Sequence, residues 1–451
     1  MRTRSIRSVA RWVAVTGALV LAGAPAAPLA QQAAPAPAPV ATLDDAALAA
    51  FIRQRMDELD YSGAVLFARA GAPVVVAARG LADREAKTPN TVDSKFRMGS
   101  MDKMFTAVAI MQLAQQGKVS LDAPFGDYLK DYPNAAMARG VTVHQLLTHT
   151  GGVGDIFGPQ FNENRLTLKT LKDYVALYGK RAGEFAPGTR WAYANYGFIL
   201  LGRIIEEVSG QAYPDYVRDH IFAPAGMTGS GFEPENVAVS GRTKGYWTVN
   251  GVTGLNDSTL PWAGTSAGGG YTTVRDLLAF ATALTGGVLM DADHVRLMTT
   301  KKANGSYAYG FDDLSRDGLR IYGHGGNATG MNGNFWIIGD GQAVIATLSN
   351  FDPPEQADAL LTDIARRGRF LRTDGRVATI LDYAPPPPTN DYRMALFRAN
   401  DPDGDGKIDK AGYARVLETM AYSEQLDALF ARRDANKDGL LSAEEFLAVL
   451  Q

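Results

Sequence analysis

The chain has 451 residues, with 45 basic and 48 acidic side chains, a formal charge of −3, 46% hydrophobic residues and 21% charged ones. This composition excludes wholesale disorder, and a near-even charge balance without Lys/Arg runs argues against nucleic acid as a partner. The absence of cysteine removes disulfides, thiolate nucleophiles, iron–sulfur clusters and cysteine-bound zinc together.

Arg2, Arg4, Arg7 and Arg11 precede an apolar run from Trp12 to Gly23, and small residues follow up to Ala30. This pattern predicts a secretory signal peptide over residues 1–30, with Ala24-Pro25-Ala26 and Pro28-Leu29-Ala30 as alternative exits. The run falls short of the ~20 residues of a membrane span, and no later segment reaches that length. The mature chain is therefore expected to be periplasmic or secreted and to carry no membrane span. Residues 31–41, QQAAPAPAPVA, read as an Ala/Pro linker.

Leu48, Phe51, Ile52, Met56 and Leu59 recur at helical spacing. Two extended runs, Gly63 to Ala68 and Pro73 to Arg79, predict a hairpin. From Ser100 to about residue 230 the signals are mostly helical. Strand character returns at Leu319–Tyr322, Asn334–Ile338 and Ala343–Leu348, before a closing helix with Leu360, Leu361 and Ile364. Strands at both ends and helices between predict an α+β unit over residues 42–384. Its antiparallel sheet would be built from distant halves and flanked by helices, with a mainly helical lobe inserted. Pro385 to Pro388 mark a stiff linker over 385–390, beyond which residues 391–451 form a separate all-α module.

That module holds two acidic loops. Asp434, Asn436, Asp438, Gly439 and Glu445 match the side-chain ligand and turn positions of a twelve-residue EF-hand loop, with Leu440 offering its carbonyl and Ser442 the water-bridged position. Ca2+ is the expected ion because a hard cation wants six to eight oxygens. In the partner loop, Asp401, Asp403, Asp405, Lys407 (by its carbonyl) and Asp409 hold ligand positions, but Gly412 stands where the bidentate Glu belongs. Weak binding, or a loop kept for pairing, is expected there.

Ser100-Met101-Asp102-Lys103 opens a predicted helix ending near Gly117. Residues i and i+3 share a helix face, so hydroxyl and amine can meet. A serine is a weak nucleophile that needs a base, and a desolvated lysine can be one. A lone S-x-x-K is expected by chance in a chain this long, so further elements must join it. Of two Tyr-x-Asn triplets, Tyr132-Pro133-Asn134 lies in a Pro-interrupted turn, whereas Tyr193-Ala194-Asn195 stands at a loop-to-helix junction. The second is the better candidate for a phenol acid/base beside an orienting amide. Of two His-x-Gly triplets, His324-Gly325-Gly326 has strand context, while His149-Thr150-Gly151 reads as structural, with His149 bonding backbone near a helix end.

Serine–lysine on a helix, Tyr-x-Asn in a helical lobe and a basic-x-Gly strand, in that order, resemble the penicillin-recognising serine hydrolases. Within them, the chain is most similar to class C β-lactamases, D-alanyl-D-alanine carboxypeptidases, D-aminopeptidases and related esterases. The phrases LLTHTGG, PGTRWAYANYGFILLG, SAGGGYTTVRDLLAF and GHGGNATGMNG carry the likeness.

The resemblance implies a β-lactamase/transpeptidase-like fold and Ser100 as acyl-accepting nucleophile. Lys103 would be its proton acceptor or electrostatic partner, Tyr193 the shared acid/base, and Asn195 the orienting amide. His324 would replace the lysine of a Lys-Thr-Gly strand, Gly325 and Gly326 would line substrate, and the backbone N–H groups of Ser100 and Asn327 would form the oxyanion hole. It further implies a small-molecule or short-peptide substrate, no metal in the hydrolase site, and Ca2+ confined to the EF-hand unit. His324 and Gly325 weaken a clamp on a substrate carboxylate, which favours esters and D-amino-acid amides over β-lactams. A catalytically weak cell-wall peptide or penicillin-binding protein is the alternative.

Overall fold

Along the run that opens the predicted hairpin, Val65 and Phe67 point to one side and Ala64, Leu66 and Ala68 to the other, and all five are buried. A strand buried on both faces belongs inside a sheet with cover on either side. The computed structural model describes residues 43–371, apart from 250–251, 303–304, 316–317, 353–354 and 369, then 377–378, 405–413 and 430–446, apart from 432 and 443–444. The expected signal peptide, both linkers, Asp401 and Asp403 lie outside the described residues.

In chain order the elements that build the site are α1 (Asp45–Glu58), β1 (Gly63–Arg69), β2 (Ala72–Arg79), α2 (Asp102–Gln115), α3 (Asn195–Ser209), α4 (Val274–Thr285), β3 (Asp312–Asp313), β4 (Ile321–Ala328), β5 (Met331–Ile338), β6 (Ala343–Ser349) and α5 (Glu355–Arg367). The strands form one antiparallel sheet in the order β2-β1-β6-β5-β4-β3. β1 and β6 pair from Gly63 with Ser349 to Arg69 with Ala343, so the two ends of the unit meet at the sheet centre.

The helices cover the two faces. Asp44 caps α1 by accepting from the Ala47 N–H at 2.8 Å. Leu48, Ile52 and Met56 of α1 then share a core with Val65, Phe67, Leu360 and Ile364. The opposite face packs α2, α3 and α4 through Phe105, Val108, Leu200, Ile204 and Phe280. Nearly the whole circumference of α2 is buried, from Asp102 to Leu113, as befits a helix that is apolar almost all round.

The third predicted strand run, Leu319–Tyr322, is longer than its apolar residues showed. β4 continues through His324-Gly325-Gly326 to Ala328, carried by its ladder with β5 rather than by side-chain propensity. His324 therefore stands within the strand, not at its end. In the C-terminal module a short ladder, β7 (Lys407–Asp409) with β8 (Leu440–Ser442), joins the two acidic loops. Among the described residues no helix is long and apolar enough to cross a membrane.

Candidate active site

Ser100 is half-buried in a 3-10 turn, Gly99–Met101, that leads directly into α2. Gly99 has φ +51°, and a Cβ there would stand 3.2 Å from the Asn327 N. Gly326 is more constrained still, since a Cβ would meet the Met98 carbonyl oxygen at 2.0 Å. Two glycines thus let β4 lie against the turn that carries the hydroxyl. The β4–β5 hairpin turns on Thr329-Gly330, which makes Ala328 and Met331 the exchanging pair. The next pair, Asn327 with Asn332, turns its backbone groups outward.

Lys103 is completely buried, and its three partners are arranged around one nitrogen. Nζ donates to Asn195 Oδ1 at 2.7 Å and to the Ala267 carbonyl at 2.5 Å, and lies 3.2 Å from Ser100 Oγ. Two N–H groups suffice for the two carbonyl oxygens, so a neutral amine keeps its lone pair for the serine proton. Burial pulls the lysine down to about 7, against the opposing pull of Asp155 and Asp102. Asp102 cannot hold the ammonium as a full counter-charge, because burial pushes it up to about 8 even though it accepts from the Gly270 N–H at 2.6 Å.

Asn195 is the first residue of α3, and chemistry fixes its amide orientation. Its oxygen faces the donor-only lysine, while Nδ2 donates to Asp155 Oδ1 and Oδ2 at 3.0 and 3.1 Å. Tyr193, half-buried just before that helix, has its ring centroid 4.8 Å from Lys103 Nζ. Across the site, His324 Nε2 lies 3.2 Å from the Tyr307 hydroxyl. Ser100, Lys103 and Asn195 are thus joined directly, Tyr193 adjoins the lysine, and the turn carrying Ser100 abuts the Gly326–Asn327 stretch of β4. Tyr132 and Asn134, the passed-over triplet, are structural: Tyr132 meets the Tyr196 hydroxyl, and Asn134 caps a short helix.

Sequence reasoning missed four contributors. The Ala267 carbonyl, in the SAGGG stretch, has no side-chain signature. Asp155 sits in a Gly-rich loop that shows no motif. Tyr307 lies in the apolar run YAYGF. His149 does bond backbone, accepting from the Ala194 N–H at 3.1 Å, but its ring also packs against Tyr193 at 4.2 Å and Tyr307 at 4.5 Å. It is a neighbour of the site rather than a remote cap. Its φ of +57°, unusual for a non-glycine residue, is visible only in the structure.

In the second acidic loop the donors for a hard cation are present, but they are turned onto the chain. Asp434 accepts from the Asp438 and Gly439 N–H groups, and Glu445 from Ala435, Asn436 and Ser442. Leu440 lies in β8 with its carbonyl as the donor on offer, and the Ser442 hydroxyl donates to Glu445 Oε2 at 2.9 Å. Lys407 of the first loop donates to Asp438 Oδ2 at 2.9 Å. Asp405 and Asp409 cap N–H groups of Lys407 and Gly412. Among the described residues, no three His, Asp or Glu side chains converge as a metal cluster. The donor set of the second loop fits calcium, provided Glu445 and Asp438 release these partners.

A sheet of this order, with a Ser–Lys turn opening its central helix, is the architecture of the penicillin-recognising serine proteins. The beta-lactamase family model matches residues 48–368 and the EF-hand model residues 426–450. The chain belongs to the beta-lactamase family.

Among curated relatives, the Bacillus subtilis protein PbpX, assigned by name to the penicillin-binding proteins, is 33% identical over 267 residues, covering 58% of this chain and 64% of the relative. Esterase EstB of Burkholderia gladioli is 34% identical over 220 residues, covering 44% and 56%. The chain thus spans less than two thirds of the length of these relatives. A solved penicillin-binding protein from Bacillus halodurans superposes with a TM-score of 0.63 at 29% identity, over 69% of this chain and 99% of that one. A D-stereospecific amidohydrolase from Streptomyces gives 0.59 at 27%, over 69% and 97%.

Proposed function

We propose that the protein is a serine hydrolase that works through an acyl-enzyme on Ser100, taking esters and D-amino-acid amides ahead of β-lactams. The observation that carries this reading is the lysine amine 3.2 Å from Ser100 Oγ, buried and tied by two carbonyl oxygens. Neutral Lys103 accepts the Ser100 proton as Oγ bonds to the substrate carbonyl carbon. The oxyanion that forms is held by the backbone N–H groups of Ser100 and Asn327, aided by the N-terminus of α2. Tyr193 protonates the leaving group as its bond to carbon breaks, and the lysine proton restores the phenol. Water then attacks the ester, gives its proton to the Tyr193–Lys103 pair, and the serine leaves with a proton returned. Asn195 orients Lys103, Asp155 orients Asn195, and Gly325 and Gly326 line the acyl group.

Export rests on the basic and apolar N-terminal pattern, and the domain limits 42–384 and 391–451 rest on composition. In the tail, Asp434, Asn436, Asp438, Leu440, Ser442 and Glu445 would hold Ca2+, which crosslinks the loop and supplies no chemistry at Ser100. The loop with Asp401, Asp403, Asp405, Lys407 and Asp409 would bind weakly without a carboxylate at Gly412.

The test is a turnover panel of p-nitrophenyl esters, D-alanyl amides and nitrocefin on wild type and Ser100→Ala, each with calcium and with chelator. Ester and amide turnover that disappears in the variant and ignores the chelator is expected. Turnover surviving in Ser100→Ala rejects the nucleophile.

A further inference from the structure

His324 is 5% exposed, and both of its ring nitrogens are occupied. Nδ1 stands 2.5 Å from the Gly325 carbonyl oxygen, which can only accept, so Nδ1 carries the proton. In the neutral ring Nε2 is then an acceptor, and it faces the Tyr307 hydroxyl at 3.2 Å. Burial holds the imidazole toward its neutral form, and Lys103 adds to that while Asp312 opposes it. Burial also keeps the Tyr307 phenol protonated, so it remains a donor. The Tyr307 ring has little freedom, being edge-on to His324 at 5.8 Å and against His149 at 4.5 Å.

Resting on the Ser100 acyl-enzyme reading, we infer that Tyr307 is a specificity-determining residue. By donating to Nε2 it withdraws His324 from substrate recognition, and the site takes acyl donors whose leaving group bears no carboxylate. A lysine at this strand position would present an ammonium to such a carboxylate. An Nδ1–H imidazole has only a lone pair at Nε2, which the Tyr307 hydroxyl occupies and so holds against protonation, and its one proton is already spent on Gly325. Gly325 adds no hydroxyl to compensate. The site thereby favours neutral esters and amides through the cost of leaving an anion unpaired against a dry strand.

A matched pair of thiolesters tests this directly: benzoylglycyl thioglycolate, with a carboxylate on its leaving group, and the corresponding thioglycolamide. Wild type is expected to prefer the amide by about tenfold or more in kcat/KM. Tyr307→Phe should lower that preference about fivefold, because Nε2, no longer occupied by the phenol, can take up a proton and pair with the carboxylate as an imidazolium, and Tyr307→Phe with His324→Lys should reverse it. In parallel, nitrogen-15 shifts of the histidine rings should show His324 as the Nδ1–H tautomer in wild type, a readout that needs no variant to fold. Equal or faster turnover of the carboxylate by wild type, an unchanged ratio in Tyr307→Phe, or an Nε2–H tautomer each overturns the inference. If neither thiolester leaves an acyl mass on Ser100, the acyl-enzyme reading itself fails, a result distinct from an altered ratio.

Discussion

Lys103 and Lys407 both have carboxylates for neighbours, and their surroundings give them opposite characters. Lys103 is wholly buried, its acidic neighbours Asp102 and Asp155 are themselves pushed upward by burial, and it is drawn down toward neutrality. Lys407 lies at the solvent-facing acidic loops, where Asp438 raises the lysine and is lowered in turn. In water the pair stays charged and gains little, whereas in the dry site desolvation outweighs attraction and draws the same functional group toward its neutral form. The contrast shows that the motif spacing supplies only the meeting of Ser100 and Lys103. The packing of α2 supplies the desolvation.

The strongest way to break the contrast is to remove the dry amine. Lys103→Met should slow single-turnover acylation by about 10^3–10^4, with the unfolding midpoint unchanged or higher because a thioether replaces a buried amine. Acylation within tenfold of wild type would remove Lys103 from its role as base. Next comes pH. The amine accepts a proton only when neutral, so acylation should rise about tenfold per pH unit below about 7 and level off above it. Asp155→Asn deletes a negative charge that raises the lysine, so the bend should move to lower pH; a bend that moves upward contradicts the assignment.

The wet pair gives smaller effects. Calcium at about 100-fold above its dissociation constant should stabilise the C-terminal module by about 2.7 kcal/mol, read as a rise in its unfolding temperature, and Glu445→Gln should abolish that rise. Lys407→Ala should tighten calcium binding about two- to fivefold by releasing Asp438, measured by calorimetric titration. Weaker binding in this variant would show that the ammonium helps the loop rather than competing with the ion.

Ser100, Lys103, Tyr193, Asn195 and His324 could be picked from the sequence as candidates because each belongs to a short triplet or quartet whose chemistry depends on fixed spacing. The sheet was legible in outline, since a short continuous apolar run marks a strand buried on both faces such as β1, but the extension of β4 through five polar or glycine residues, Gly323 to Asn327, depends on its ladder with β5. What sequence could not show are contacts between loops far apart in the chain. The Ala267 carbonyl is backbone, Asp155 gains meaning only through Asn195, and Tyr307 looks like any core aromatic until His324 stands opposite it. His149 shows the limit well: its backbone hydrogen bond was foreseeable, its ring against Tyr193 was not. In the tail, the EF-hand positions follow from a local twelve-residue pattern, whereas the reach of Lys407 to Asp438 needs the β7–β8 pairing.

The most direct measurement is peptide mapping, by mass spectrometry, of the enzyme quenched during turnover of a p-nitrophenyl ester. One acyl group is expected on the peptide containing Ser100, accumulating as the pH is raised through about 7 and absent from Lys103→Met quenched at the same time. An acyl group on any other residue, or brisk turnover with no adduct under conditions that trap an ester, would contradict it.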